Sequence, residues 1–205
     1  GIDAIAEASG FGVKIVKPRE QDVIIEFFKK AEKSGCVAVG VDIDGCGSYA
    51  MSTHNKPVYK KNSHDLRELV SSTELPVIVK GVMSIEDSIL AKDAGAAAIV
   101  VSNHGGRVLD HTPGTAEVLP EIVAKLKGKI RIIVDGGVRT GYDVLKMLAI
   151  GAEAVLIGRD IVRAAVGAGL DGVRIQMEYL QKTLAKAMIM TNCKNLNEVE
   201  SEILL

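Results

Sequence analysis

The sequence lacks most features of membrane, nucleic-acid-binding or disulfide-stabilised proteins. Its 205 residues include 25 Lys or Arg and 26 Asp or Glu, and a net charge of −1 argues against a general nucleic-acid or membrane-surface role. No apolar run approaches the roughly 20 residues of a membrane span, and we expect no signal peptide. The three cysteines, Cys36, Cys46 and Cys193, are odd in number and lack zinc-type spacing. We therefore expect no metal site of that kind and a reduced, cytoplasmic setting.

Aromatic residues are also scarce, since the chain has no tryptophan and only 3% aromatic residues. Hydrophobic residues at 47%, together with 21 glycines, indicate short Val/Ile/Ala strands and tight turns rather than a β-sandwich. The length suffices for one sizeable core, and no linker or low-complexity segment interrupts it. We expect a single domain over residues 1–205. Because the chain starts at Gly1 without methionine, we also expect it to be part of a longer protein.

Apolar strand patterns alternate with helical patterns along the whole chain. The predicted strands are Val13–Lys17, Cys36–Ile43, Leu75–Lys80, Ile99–Val101, Ile130–Asp135 and Ala152–Ile157. Between them, cap residues and apolar periodicity predict helices ending at Ser9, starting at Pro18, spanning Ser63–Ser71, following Ser84, starting at Thr115, following Thr140 and spanning Gly158–Val166. A long terminal helix is predicted from the apolar stripe Leu170, Val173, Met177, Leu180, Leu184 and Met188.

This alternation predicts a parallel sheet covered by helices, for which two architectures compete. A doubly wound sheet concentrates functional groups at one switch point, whereas a β/α barrel places them at the carboxyl end of every strand. Here polar residues follow nearly every strand, which favours the barrel. A complete barrel has eight strands, and six are predicted here. The predicted polar strand ends are Asp42, Asp44, Lys80, Ser102, His104, Asp135, Gly158 and Arg159.

The fourth predicted strand leads into the stretch SNHGGRVLD at residues 102–110. His104 is of the type that accepts a proton near neutral pH, and Arg107 of the type that holds a carboxylate with two hydrogen bonds. Two glycines allow a sharp turn and the close approach of a flat ligand. The alternative is a solvated loop with an unused histidine.

Two glycine-arginine turns follow the last two predicted strands. Residues 135–139, DGGVR, and Gly158-Arg159 each lie between a strand and a helix, where backbone amides, guanidinium groups and a helix amino terminus suit a phosphate. The alternative is that these glycines only close tight turns. Lys80 ends an otherwise apolar strand, so it is either a fixed cation facing a ligand or a lysine reaching water.

Together these motifs resemble the FMN-dependent α-hydroxy acid dehydrogenase/oxidase family, which includes glycolate and lactate oxidases. The resemblance is carried by VKG at 79–81, SNHGGRVLD at 102–110, DGGVRTG at 135–141, IGRD at 157–160 and the terminal MIMTNCKNLNEV. It implies a (β/α)8 barrel of which this chain holds about six units, the third to the eighth. The first two strands, and a tyrosine that the family places near its start, are absent.

The resemblance also implies roles for residues. His104 would be the active-site base, Asp44 its orienting carboxylate and Arg107 the clamp on the substrate carboxylate. Lys80 would lie beside the flavin and favour its reduced anion. The implied FMN contacts are Lys80, Ser102, Asp135, Gly136, Gly137, Val138, Arg139, Gly158 and Arg159.

Several positions depart from the family pattern. Gly12 and Lys14 stand where the family has a glutamine and a tyrosine, and Asp42 stands where it has a threonine that contacts the flavin. The second substrate arginine is missing, leaving Lys56, Lys60 or Lys61 as candidates to replace it. A lysine offers a point charge rather than a planar fork, so the substrate clamp is expected to differ.

The function implied is oxidation of an L-2-hydroxy acid to a 2-oxo acid with FMN as cofactor. The alternatives are an inactive or binding-only fragment, or a phosphate-binding barrel isomerase or lyase without flavin. Six strands leave two open edges, which pair with other chains or aggregate. We therefore expect a homo-oligomer, poor solubility, or closure by a partner chain.

Overall fold

The computed structural model describes residues 1–8 and 11–204. Within them lie six strands: β1 (Val13–Val16), β2 (Ala38–Asp42), β3 (Val77–Val82), β4 (Ala98–Val101), β5 (Arg131–Val134) and β6 (Ala154–Val155). The helices are α1 (Ile2–Glu7), α2 (Gln21–Lys33), α3 (Tyr49–Thr53), α4 (Ser63–Ser71), α5 (Ile85–Asp93), α6 (Thr115–Leu126), α7 (Gly141–Ile150) and α8 (Arg159–Met190). Short 3-10 segments cover Ile43–Gly47, His104–Gly106, Leu196–Glu198 and Ser201–Leu204.

The strands form one parallel sheet in the order β1-β2-β3-β4-β5-β6, which confirms the predicted alternation. Ile15 on β1 and Ile157 after β6 line the same cavity. The sheet is therefore curled, and both of its edge strands border that cavity. The fold is therefore a partial β/α barrel of six strand-helix units. Within the described ranges, β1 and β6 each pair on one side only.

The main core fills the space between the outer face of the sheet and the helices. Val39, Val79 and Ile99 from successive strands are fully buried there, against Phe28 of α2 and Leu69 of α4. Four-residue strands of β-branched residues with both faces covered give the near-continuous apolar runs seen in the sequence.

Capping residues set several helix starts, as predicted. Thr140 and Asp143 form a reciprocal capping box at α7, and the Ser84 hydroxyl accepts a hydrogen bond from the Asp87 amide at α5. At α4 the cap is Asn62 rather than Ser63, with Asp65 completing the box.

Some predicted boundaries differ from those in the structure. Pro18 does not begin a helix, because the segment before α2 bonds to a distant loop, with the Tyr59 amide donating to the Pro18 carbonyl. The last strand pairs only over Ala154–Val155 instead of Ala152–Ile157. The two predicted terminal helices are confirmed, since α8 consists of two helical stretches separated by a kink with non-helical backbone at Ala168 and Gly169. The predicted first helix is α1, while its proposed end at Ser9 and Gly10 lies outside the described residues.

The apolar stripe of α8 is buried only in part. Leu180 is buried, because α8 packs on α7 there, whereas Leu170 is 74% exposed. Val166 and Ile189 are also exposed. Among residues 1–8 and 11–204, no helix combines the length and the apolar character that a membrane crossing requires.

Candidate active site

A cavity of about 450 Å³ lies at the carboxyl ends of the strands. Nearly all the residues singled out in the sequence border it: Asp42, Lys80, His104, Arg107, Asp135, Gly136, Gly137, Val138, Arg139, Gly158 and Arg159. Ser102 and Asp44 do not line it but hydrogen-bond to residues that do. Parallel strands place their carboxyl ends at one rim, so residues far apart in sequence meet here.

The loop after β4 holds His104 in an uncommon backbone conformation. Its φ is 58°, and Gly105 and Gly106 follow with φ of 65° and 74°. The Ser102 hydroxyl accepts a hydrogen bond from the His104 amide at 3.2 Å, and the Asn103 side chain accepts one from the Gly105 amide at 3.0 Å. A left-handed histidine costs on the order of 1 kcal/mol and persists where its surroundings fix it.

His104 lies between two carboxyl groups and an ammonium group. Its Nδ1 is 3.1 Å from Oδ1 of Asp44 and 3.5 Å from Oδ2 of Asp42, while its Nε2 is 3.2 Å from Nζ of Lys17. Carboxylates at Nδ1 and an ammonium at Nε2 favour the tautomer with hydrogen on Nδ1. Nε2 then carries the lone pair, which accepts a hydrogen bond from the Lys17 ammonium.

These contacts shift the ionisation of the three groups in different directions. Hydrogen bonds to Asp42 and then Asp44 raise the pKa of His104 above its ordinary value of 6.5. Burial opposes ionisation of Asp42, but hydrogen bonds with His104, Asp44 and Lys17 outweigh it and hold the pKa of Asp42 far below its usual range. Burial raises the pKa of Asp44, and the neighbouring Asp42 adds to that effect against the hydrogen bond of His104.

Lys80 joins the histidine side of the cavity to its glycine side. Its Nζ donates to the Ser102 hydroxyl at 2.8 Å and lies 3.3 Å from Asp135 and 3.6 Å from Asp42. Asp42, Asp44 and His104 are spaced closely enough to chelate a cation. Lys17 and Lys80 already supply the positive charge that Asp42 requires, so the cluster is a compensated ion network.

The opposite end of the cavity is rich in arginine. Among the described residues, neither Arg139 nor Arg159 has a carboxylate oxygen within 4.0 Å of its guanidinium group, although both are exposed at the rim. Arg159 opens α8, so the positive end of a helix dipole points the same way. Its guanidinium also lies against the backbone of Gly105, where an added Cβ would be 3.1 Å from a terminal nitrogen.

The residues present fit an FMN molecule. Two guanidinium groups that have no carboxylate partner among the described residues, together with a helix amino terminus, suit the phosphate. A Cβ added at Gly137 or Gly158 would meet nothing within 4 Å, so the backbone there is open to a ligand. Oδ1 of Asp135 is buried and accepts no hydrogen bond from the described residues, as expected where a ribityl hydroxyl donates. The Lys80 ammonium, held by Ser102 and Asp135, would supply a cation to a bound flavin.

The departures from the family pattern take specific positions. Lys14 lies on the outer face of β1, with Nζ 5.5 Å from the ring centroid of Phe27, and therefore does not border the cavity. An added Cβ at Gly12 would lie 2.7 Å from the side chain of Ile5, so this glycine allows α1 to pack. Asp42 is buried in the ion network.

None of the three lysines suggested as replacements for the missing arginine borders the cavity. Lys61 donates instead to the Arg19 carbonyl and to Gln21.

Lys17, which was not among the residues predicted from the sequence, contacts His104 itself. It follows β1 directly, so the signal used for Lys80, a lysine ending an apolar strand, also identifies it. Arg107 is the cation on the other side, with Nε donating to the His104 carbonyl at 3.0 Å.

At the carboxyl ends of the strands of this partial β/α barrel, a histidine-carboxylate network lies beside an arginine-glycine cradle, which is formed by Arg139, Arg159 and the backbone at Gly136, Gly137 and Gly158. The family model for FMN-dependent dehydrogenases matches residues 47–205, and the chain belongs to that family.

Individual relatives agree with this membership. A peroxisomal (S)-2-hydroxyacid oxidase of Arabidopsis thaliana is 44% identical over 135 residues, covering 66% of this chain and 37% of the relative. An L-lactate oxidase of Nostoc sp. is 44% identical over 140 residues, covering 68% and 38%. The crystal structure of a mandelate oxidase superimposes with a TM-score of 0.91 at 32% identity, covering 98% of this chain and 66% of that one. The chain thus spans less than half the length of these two curated relatives.

Proposed function

We propose that this chain provides the FMN site and the proton-accepting site of an enzyme that oxidises L-2-hydroxy acids to 2-oxo acids. The observation that carries the proposal is His104, whose Nδ1 is held by Asp44 while the ring borders the same cavity as Arg107 and the arginine-glycine cradle. The named substrates of the relatives, hydroxy acids, lactate and mandelate, support this class.

Each residue then has a defined task. When bound, FMN would supply the two-electron acceptor. Arg139, Arg159 and the backbone at Gly136, Gly137 and Gly158 would hold its phosphate, and Asp135 would accept a hydrogen bond from its ribityl chain. Arg107 binds the substrate carboxylate with its guanidinium fork. Oxidation removes two electrons and two protons from the substrate. His104 accepts one of these protons, and the bound cofactor would be the acceptor for the electrons and the second proton. Asp44 stabilises the imidazolium that forms.

The whole protein, in this proposal, completes an eight-stranded barrel as one domain. The open sides of β1 and β6 and the additional length of the mandelate oxidase support this. A cytoplasmic location remains a prediction, as does self-association through the open strands.

The first experiment is an FMN titration followed by anaerobic mixing with L-lactate, glycolate and L-mandelate. We expect flavin fluorescence to be quenched on binding and the flavin absorbance to bleach with at least one of these acids. His104→Gln should retain FMN but slow the bleaching by about 10²–10⁴-fold, the usual contribution of a general base. His64→Gln is the matched control, because that histidine is exposed on α4, outside the cavity lining.

The results separate the alternatives. FMN binding without bleaching by any acid would indicate a binding-only site. Absence of FMN binding would overturn the proposal, and an unchanged rate in His104→Gln would remove the role of the histidine.

A further inference from the structure

Lys17 occupies a position that the proposed reaction does not yet use. It follows β1 on the same side of the strand as Ile15, and although Lys17 is not itself among the residues that line the cavity, it contacts His104, which is. Its ammonium lies 2.5 Å from Oδ2 of Asp42 and 3.2 Å from Nε2 of His104. Nε2 carries no hydrogen in the tautomer that the two carboxylates favour, so it can accept a proton once the ammonium donates to another acceptor.

The surroundings hold this ammonium in place. The carboxylate of Asp42, whose side chain is 6% exposed, forms an ion pair with Nζ. On another side, an added Cβ at Gly45 would lie 3.1 Å from Cδ of Lys17 and 3.4 Å from its Nζ. The lysine stem therefore packs against a glycine backbone that leaves room for it. The Lys17 side chain is 30% exposed, whereas that of Asp42 is almost fully buried.

A hydroxyl that delivers its proton to Nε2 must come within hydrogen-bond distance of that atom. The hydroxyl oxygen then lies close to Nζ of Lys17, which is itself within hydrogen-bond distance of Nε2, and the ammonium can donate to that oxygen. As the proton leaves, negative charge grows on that oxygen before the carbonyl is formed. A fixed cation with a hydrogen to donate stabilises such charge strongly because it needs no reorganisation.

We propose, on the basis of the function proposed above, that Lys17 is a further catalytic residue which donates to the substrate's hydroxyl oxygen while His104 accepts the hydroxyl proton. The O–H bond breaks, its proton goes to Nε2, and the electron pair left on oxygen forms the carbonyl bond as the α-carbon gives up its hydrogen and two electrons, for which bound FMN would be the acceptor. Lys17 keeps its proton throughout. Asp42 is the positioning residue that holds it.

The first test compares Lys17→Met with Lys14→Met, a lysine on the opposite face of the same strand. Lys17→Met should bind FMN as the parent does, because Lys17 touches none of the cradle residues. Its limiting rate constant for flavin reduction by L-lactate, or by whichever acid reduces the parent, should fall by about 10²-fold, as on removing one donor to a developing oxyanion. The substrate concentration at half-maximal rate should change less. Lys17→Arg should recover part of the loss, and Lys14→Met should match the parent.

The double variant Lys17→Met/Asp42→Asn separates catalysis from charge balance. If Lys17 only neutralises Asp42, removing both charges restores the rate, and that result would overturn the proposal. If Lys17 contacts the substrate oxygen, the double variant stays slow.

A third measurement needs no flavin. The charged groups facing His104 are Lys17 after β1, Asp42 on β2, Asp44 in the following 3-10 turn, and, through Asp42, Lys80 on β3. Removing the ammonium beside Nε2 should raise the pKa of His104, read by NMR of the imidazole in Lys17→Met but not in Lys14→Met. An unchanged pKa would show that the contact is absent. Failure of the parent to bind FMN would refute the proposed function instead, while this titration still tests the contact.

Discussion

Loss of the arginine cradle should weaken binding of the phosphate and leave the rest of FMN held. Arg139→Ala and Arg159→Ala each remove a guanidinium group that has no carboxylate partner among the described residues. A charge-assisted hydrogen bond contributes about 1.5–3 kcal/mol when well shielded. Both side chains are exposed at the cavity rim, so we discount this to about 1 kcal/mol each. The expected loss is about fivefold in each single variant and about 30-fold in the double variant.

The assay is a paired titration with FMN and riboflavin, which differ only by the phosphate. Riboflavin affinity should change less than about twofold, and added salt should weaken FMN binding in the parent more than in the double variant. Arg131→Ala is the matched control, because Arg131 pairs with Glu153 at the amino end of β5. If both ligands lose affinity equally, the arginines support the structure and do not contact phosphate.

Three further predictions follow from particular contacts. The raised pKa of His104 should appear as a rate of flavin reduction that increases with pH through an apparent pKa above 6.5, and Asp44→Asn should lower that apparent pKa. By the same linkage, protonated His104 contributes its full stability to the fold below the pKa that it has in the unfolded chain. That stability is lost as the pH rises through the pKa that it has in the folded protein. Gly141→Ala should lower the free energy of unfolding by about 2 kcal/mol or more in urea titrations, since its Cβ would lie 1.9 Å from the Leu184 amide nitrogen, whereas Gly167→Ala, with open space around it, should not. Light scattering at low micromolar concentration should show association of this chain, and a stable monomer would contradict the expectation drawn from its open strands.

Local signals predicted the helices well, because a capping box is decided within four residues. Ser84 with Asp87 and Thr140 with Asp143 each mark a helix start that the structure confirms. Pro18 was misleading because its segment is fixed by long-range bonds to residues 59–61. The last strand is shorter than its apolar run, because β6 has β5 as its one neighbour in the described sheet and pairs only through the residues that lie beside β5, Ala154 and Val155.

The site was predictable to the extent that it lies at strand ends. That rule places His104, Lys80 and Asp135 at one rim, which the structure confirms. Two features of the site cannot be predicted from the rule that functional residues follow strand ends. The distance between Lys17 and His104 depends on how far the sheet curls, and the outward direction of Lys14 depends on strand register. Neither is encoded in a local pattern.

The sequential order of the strands has a consequence for how the chain folds. Each strand pairs with the next strand along the chain, so every pairing closes a loop of roughly 20 to 40 residues, and such loops differ little in closure entropy. No pairing within the described sheet has to wait for a distant partner. Strand-helix units can therefore add one after another as the chain emerges during synthesis. The rim of the cavity is completed only when the last unit, β6 with α8, docks on β5.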